Sequence, residues 1–215
     1  MNLVRKIVDE IARGEITLLR ERLLSTAPEV PQVPKRSDYD LGPGARPEGS
    51  RELTPAAVLV PVVARKEPTL LFTRRTPHLS RHAGQVSFPG GRVHDNDLSL
   101  VDTALREMQE ETGIVRGNVR VAGFLESYET GTGFAILPVV GLLTDDFEVL
   151  PDPNEVEEVF EVPLAFLLDG GNRERRSMEW EGRRREFYAF TYGSHYIWGA
   201  TAGILVSFAD RLMGS

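Results

Sequence analysis

The 215-residue sequence contains no cysteine. That excludes disulfides, thiolate-bound metals and a cysteine nucleophile, and leaves the redox compartment open. No apolar run approaches the roughly 20 residues that a membrane-spanning helix needs. Excess positive charge is missing too: the net charge is −7, so the chain lacks the basic field of a nucleic-acid binder. An anionic substrate would be drawn in only by local arginines or metal ions. The opening stretch MNLVRKIVDEIARGEITLL carries Asp9 and Glu10 where a signal peptide is apolar. A cytoplasmic chain with neither a membrane nor a nucleic-acid partner is expected.

What is present is ordinary for a globular protein: 41% hydrophobic and 27% charged residues. The length suits one domain with appendages. Leu3, Ile7, Ile11 and, past Gly14, Leu18, Leu19 and Leu23 make a helical apolar stripe. Pro28, Pro31, Pro34, Pro43 and Pro47 mark an extended linker or surface wrap. Residues 1–50 are therefore set apart from a domain over 51–215. Strands are expected at Ala56–Val63, Thr69–Arg74, Val119–Tyr128, Ala135–Leu142 and Phe147–Val149. Pro163 should open a short helix, residues 176–191 a hairpin around Gly182, and Ile197–Met213 a closing apolar helix. The arginines of that hairpin (Arg173, Arg175, Arg176 and Arg183–Arg185) alternate with glutamates, as on a solvated hairpin. The two terminal helices fit either a core cover or a homodimer seam. Together these elements make an α+β or α/β/α sandwich.

The densest chemistry lies in GGRVHDNDLSLVDTALREMQEETGI, Gly90 to Ile114. A helix is expected over about 98–112, stopped by Gly113. Leu98, Val101, Leu105 and Met108 share its apolar face, and Glu107, Glu110 and Glu111 fall roughly opposite. Carboxylates at that spacing repel, and a hard dication taking oxygen ligands is the simplest compensation. Gly90 and Gly91 let backbone approach backbone or ligand closely.

This pattern resembles the Nudix box, GX5EX7REUXEEXGU with U a bulky aliphatic residue. Arg106, Glu107, Met108, Glu110, Glu111, Gly113 and Ile114 match its second half. The box's first acid falls on Asp97, an aspartate in place of glutamate, with eight residues instead of seven before Arg106. Upstream, LFTRRTPHLSRHAGQVSFPGG (Leu71 to Gly91) resembles the signature of coenzyme A pyrophosphatases, LLTXR(S/A)X3RX3GX3FPGG. Thr73, Arg75, Gly84, Phe88, Pro89, Gly90 and Gly91 match it. Phe72 and Thr76 depart, and the second arginine falls on Ser80, with Arg81 one step on.

The resemblance implies a Nudix-type α/β/α sandwich with a mixed β-sheet over 51–215, preceded by a helical extension. It implies Mg2+ or Mn2+ held by Glu107, Glu110 and Glu111, with Arg106 orienting a ligand carboxylate. The implied reaction is hydrolysis of the diphosphate of coenzyme A or acyl-CoA. ADP-ribose or a dinucleotide is the alternative substrate, and a non-catalytic binding module the third reading. A further ligand or base is sought among Glu126, Glu129, Glu155 and Glu158, with Glu155 favoured. Arg74, Arg75 and Arg81 are candidates for the 3′-phosphate. Strand alternation sends Arg74 and Arg75 to opposite faces, so one of them enters the cleft. His82 either bonds a phosphate or, with His78, stabilises its loop.

Overall fold

The structure is a computed structural model and describes residues 3–28, 34–42, 46, 51–79, 82–144, 146–180 and 183–214. In chain order the elements are α1 (Leu3–Ala12), α2 (Thr17–Arg22), β1 (Arg36–Ser37), β2 (Thr54–Val63), β3 (Thr69–Arg75), β4 (Val86–Ser87) and β5 (Gly90–Arg92). Then follow α3 (Leu100–Thr112), β6 (Val119–Phe124), β7 (Tyr128–Glu129), β8 (Phe134–Leu143), β9 (Val156–Pro163) and α4 (Leu164–Leu168). The chain closes with β10 (Glu174–Trp180), β11 (Arg183–Tyr192), β12 (His195–Trp198) and α5 (Gly199–Met213).

Side chains of the central strands are buried on both faces. In β2, Val60 and Val62 join one apolar cluster, while Ala57, Leu59 and Val63 join another. β3 divides in the same way, Leu70 and Phe72 against Leu71, and so does β8, Val140 and Leu142 against Leu137, Val139 and Leu143. Such near-continuous apolar strands belong to a sheet covered on both sides. α3 covers one face through Ala104 and Met108. Residues of α1, α2, α4 and α5 cover the other, among them Ile7, Leu19, Leu164 and Phe208. The main sheet is mixed. Its order is β1-β7-β8-β2-β3-β4, with β5 also on β2, β6 on β8 and β9 on β3. β2 and β8 run parallel, whereas β3, β5 and β9 join antiparallel. A second, antiparallel sheet is β10-β11-β12. This is the expected α/β/α sandwich with a mixed sheet.

Several expectations are corrected. Phe147–Val149 forms no strand. The Val119–Tyr128 run splits into β6 and β7, and the closing helix starts at Gly199 because Ile197 and Trp198 pair with β11. The N-terminal stripe forms two helices broken at Gly14 (φ 71°), and Ile7, Ile11, Leu19 and Leu23 share the core cluster of α5. Gly182 lies outside the described residues, as do Pro31, Pro43 and Pro47. No helix among the described residues is long and apolar enough to cross a membrane.

Candidate active site

Helix α3 begins where the sequence can cap it. The Ser99 hydroxyl accepts the Asp102 N–H at 3.1 Å, an N-cap of about 1 kcal/mol. It therefore starts at Leu100, and Leu98, expected on its apolar face, stands 95% exposed. The far end closes at Gly113, whose φ of 76° is left-handed and whose N–H reaches the Gln109 carbonyl at 2.9 Å. A side chain there would also meet Leu150.

The three glutamates of α3 do not share one open face. Met108 is fully buried and Glu111 is 4% exposed, whereas the Glu110 side chain is 58% exposed and that of Glu107 14%. Burial first, and then the neighbouring Glu107, pushes the Glu111 carboxyl up to about 8. Glu155 pushes the same way, against the charge of Arg75 and a 3.3 Å hydrogen bond from the Thr73 hydroxyl. Glu107 is also raised, by burial, with Arg106 opposing. Glu107, Glu111, Glu155, Thr73 and Arg75 thus form one neighbourhood.

Gly91 makes room for Glu107. A Cβ built on Gly91 would lie 2.5 Å from the Glu107 Cδ and 2.8 Å from its Oε2. One on Gly90 would strike the backbone of β2 instead, 2.5 Å from the Ala57 carbonyl oxygen. The first glycine of the pair lets β5 dock on β2, and the second lets α3 bring its carboxylate against β5.

Arg106 organises the acids around it. It donates to Glu107 Oε1 at 2.8 Å, Glu110 Oε2 at 2.8 Å and the Arg92 carbonyl at 3.1 Å. Asp97 takes its Nε and Nη2 at 2.8 and 2.9 Å. Asp97 also accepts from the Thr103 hydroxyl at 2.8 Å and the His94 N–H at 2.9 Å. Arg106 and these bonds hold the Asp97 carboxyl well below the usual carboxylate range. Asp97 closes the turn at 94–97, where its N–H bonds the His94 carbonyl at 2.9 Å.

Among the four distant carboxylates, Glu155 is the one that acts on Glu111. Glu126 pairs with Arg211, Glu129 with Arg46, and Glu158 with Arg74 and His195. Glu155 is held close by backbone bonds. The Leu150 N–H reaches the Thr112 carbonyl at 2.8 Å and that of Asp152 reaches Glu111 at 3.2 Å. The Thr76 N–H then takes the Glu155 carbonyl at 3.0 Å.

β3 sends Thr73 and Arg75 toward α3 and Arg74 the other way. Arg74 forms ion pairs with Glu157 at 3.2 Å and Glu158 at 3.0 Å. It lines an open recess of about 350 Å³ with Gln85, Val86, His195, Tyr196 and Trp198, none of which belongs to the carboxylate group. The Nε of Arg75 is buried without a hydrogen-bond partner among the described residues. His82 is exposed, with Nδ1 2.8 Å from Gln85 Oε1, inside its own loop. Arg81 lies outside the described residues.

A NUDIX domain family model matches residues 53–180. The chain belongs to the Nudix hydrolase family. The Nudix hydrolase NudL of Yersinia enterocolitica is 42% identical over 157 residues, covering 73% of this chain and 80% of that protein. NudL of Cronobacter sakazakii is 44% identical over 157 residues, covering 73% of this chain and 82% of its own. Among solved structures, a MutT/nudix family protein from Enterococcus faecalis shares the fold at a TM-score of 0.50 and 19% identity, over 80% of this chain and 66% of that one. This Nudix protein is accordingly a hydrolase of pyrophosphate bonds in a nucleoside diphosphate derivative.

Nudix hydrolases generally use divalent ions such as Mg2+ or Mn2+, and the donor chemistry fits one. Glu107, Glu111 and Glu155 offer only hard oxygen donors. Burial first, and then the charges of Glu107 and Glu155, keep Glu111 protonated beyond the usual carboxylate range, and a dication would offset both. Among the described residues no three acids or histidines already converge around a single point. Glu107 and Glu110 are instead turned onto Arg106.

Proposed function

We propose that this Nudix hydrolase cleaves the diphosphate of coenzyme A or acyl-CoA, giving 3′,5′-ADP and 4′-phosphopantetheine or its acylated form. The observation that carries this reading is where the Leu71–Gly91 segment goes. The segment that resembles the coenzyme A signature builds one wall of the carboxylate neighbourhood. It supplies Thr73 to Glu111, Arg75 beside it and Gly91 beneath Glu107.

In this reading Glu107, Glu110, Glu111 and Glu155 would hold Mg2+ or Mn2+. A bound dication supplies charge neutralisation at the diphosphate and a lowered pKa for water. Arg106 keeps Glu107 and Glu110 in place, itself anchored by Asp97. Arg75, whose charge acts on Glu111 and whose Nε has no hydrogen-bond partner among the described residues, would meet an anionic oxygen of the substrate there. Glu155 and Glu111 are the two carboxylates available to take the proton of attacking water. Gly90 and Gly91 act through packing, and Arg74 is committed to Glu157 and Glu158.

The test is incubation of the full chain with Mg2+ or Mn2+ and coenzyme A, dephospho-coenzyme A, ADP-ribose and a dinucleotide, with products identified by chromatography. Release of 3′,5′-ADP at the highest kcat/KM of the set is expected. Preferred turnover of ADP-ribose or the dinucleotide transfers the assignment to that substrate. Binding without turnover makes the chain a non-catalytic module. A Glu111→Gln variant at full activity removes the metal-site assignment.

A further inference from the structure

Among the arginines of the solvated hairpin, Arg185 turns inward. Arg185, on β11, has its guanidinium 6.0 Å from the centre of the Tyr39 ring, and its charge acts on the buried Asp38. Its Nη1 would lie 2.8 Å from a Cβ built on Gly131. Two further arginines reach the same turn from elsewhere in the chain. The Arg51 Nη2 lies 3.4 Å from the Cβ position of Gly133, and the Arg92 guanidinium sits 5.0 Å above the Phe134 ring. Segments far apart in sequence thus bring three guanidinium groups onto residues 131–134.

The patch is not electrically balanced. Glu129 is taken by Arg46. Asp38 is engaged by the Gly131 N–H at 2.6 Å and the Tyr128 hydroxyl at 3.0 Å, and feels Arg185. Arg51 and Arg92 are both exposed and pair with no carboxylate among the described residues. Arg51 and Arg92 thus add positive charge at this turn that no carboxylate among the described residues pairs with, on a chain whose net charge is −7. Arginine concentrated against the sign of the whole molecule is suited to a phosphate, whose oxygens match the guanidinium fork.

The patch adjoins the carboxylate neighbourhood without belonging to it. Gly91 touches Glu107, and the next residue's carbonyl accepts Arg106. The side chain of Arg92 leaves on the opposite face of β5, as strand alternation requires. Arg75 stays with Glu111. A ligand reaching both places needs two separate anionic groups.

We propose that Arg51 and Arg92, together with Arg185, form a second anion site that takes a phosphate monoester, and that it holds the 3′-phosphate of the nucleoside half of the substrate. The last clause rests on the coenzyme A reading; the anion site itself does not.

The test is calorimetric titration of the full chain, with magnesium present, using 3′,5′-ADP and 5′-AMP as ligands. The wild type should bind 3′,5′-ADP about tenfold more tightly, the size of one or two charge-assisted hydrogen bonds. An Arg51→Ala/Arg92→Ala double variant should lose that preference and keep its affinity for 5′-AMP. Matching thermal unfolding midpoints show that the variant is folded, and Arg92→Lys should retain part of the preference. Equal binding of both ligands by the wild type overturns the site, and so does a preference that survives in the double variant. Coenzyme A turnover is scored separately. Turnover without the ligand preference sinks the anion site alone, whereas a preference lost in the variant supports the site even if coenzyme A is not cleaved.

Discussion

Asp97 grips Arg106 side-on, through Nε at 2.8 Å and Nη2 at 2.9 Å, and both side chains are mostly buried, at 3% and 13% exposure. An arginine that also bonds two glutamates of the site can hold them only if it is itself fixed. Asp97 fixes it, from a loop position one residue out of step with the motif.

Asp97→Ala leaves a largely buried guanidinium without its main partner. The variant should lose about 1–3 kcal/mol of stability, the cost of leaving a charged donor without its partner. Its kcat/KM should fall about 10- to 100-fold, the usual loss when a support of a metal ligand is removed. Urea unfolding and steady-state kinetics read the two effects. Full activity at saturating metal would contradict a positioning role for Arg106.

The two glycines should separate stability from activity. Gly91→Ala places a methyl group against the Glu107 carboxyl group, which can swing aside without unfolding the chain. Its kcat/KM should drop about 100-fold, in line with a misplacement of roughly 1 Å, with little change in Tm. Gly90→Ala pushes on the Ala57 carbonyl and the Val58 Cα, neither of which can yield. That variant should lose about 1–3 kcal/mol. Similar Tm losses in both variants would refute the division of labour.

Without metal, Glu111 makes stability fall as the medium becomes alkaline. Burial pushes its carboxyl up to about 8 in the folded chain, from an ordinary 4.5. Between those values the folded state keeps a proton that the unfolded state has released. Stability is therefore greatest below about pH 4.5 as far as this group is concerned, and is lost as pH rises through about 8, by a few kcal/mol in total. Denaturation curves in EDTA across this range, with Glu111→Gln as the flat control, measure it. A wild-type profile as flat as that of the variant would show that the burial of Glu111 is not costly.

Much of this was legible in the sequence because it is periodic or local. The buried Met108 and the Gly113 stop follow from helix rules. The two-sided burial of β2 and β8 follows from their unbroken apolar runs. Leu98 fits the apolar spacing yet stands outside the helix, because helical spacing says nothing about whether the helix has yet begun. Phe147–Val149 has strand-forming residues and no partner strand to pair with. The contact of Asp97 with Arg106 depends on how the 93–98 loop folds back, which no spacing rule encodes. Glu155 is favoured among the four distant carboxylates from its place at an element start, whereas its nearness to Glu111 exists only in three dimensions.

The chain from Leu150 to Glu155 is tied to the last turn of α3 by the bonds from Leu150 and Asp152, and to the end of β3 by Thr76. A shear between helix and sheet would thus have to break one of these bonds before Glu155 could part from Glu111. The spacing of these two carboxylates is decoupled from breathing of the rest of the molecule, so thermal motion should alter access to the pair before it alters their separation.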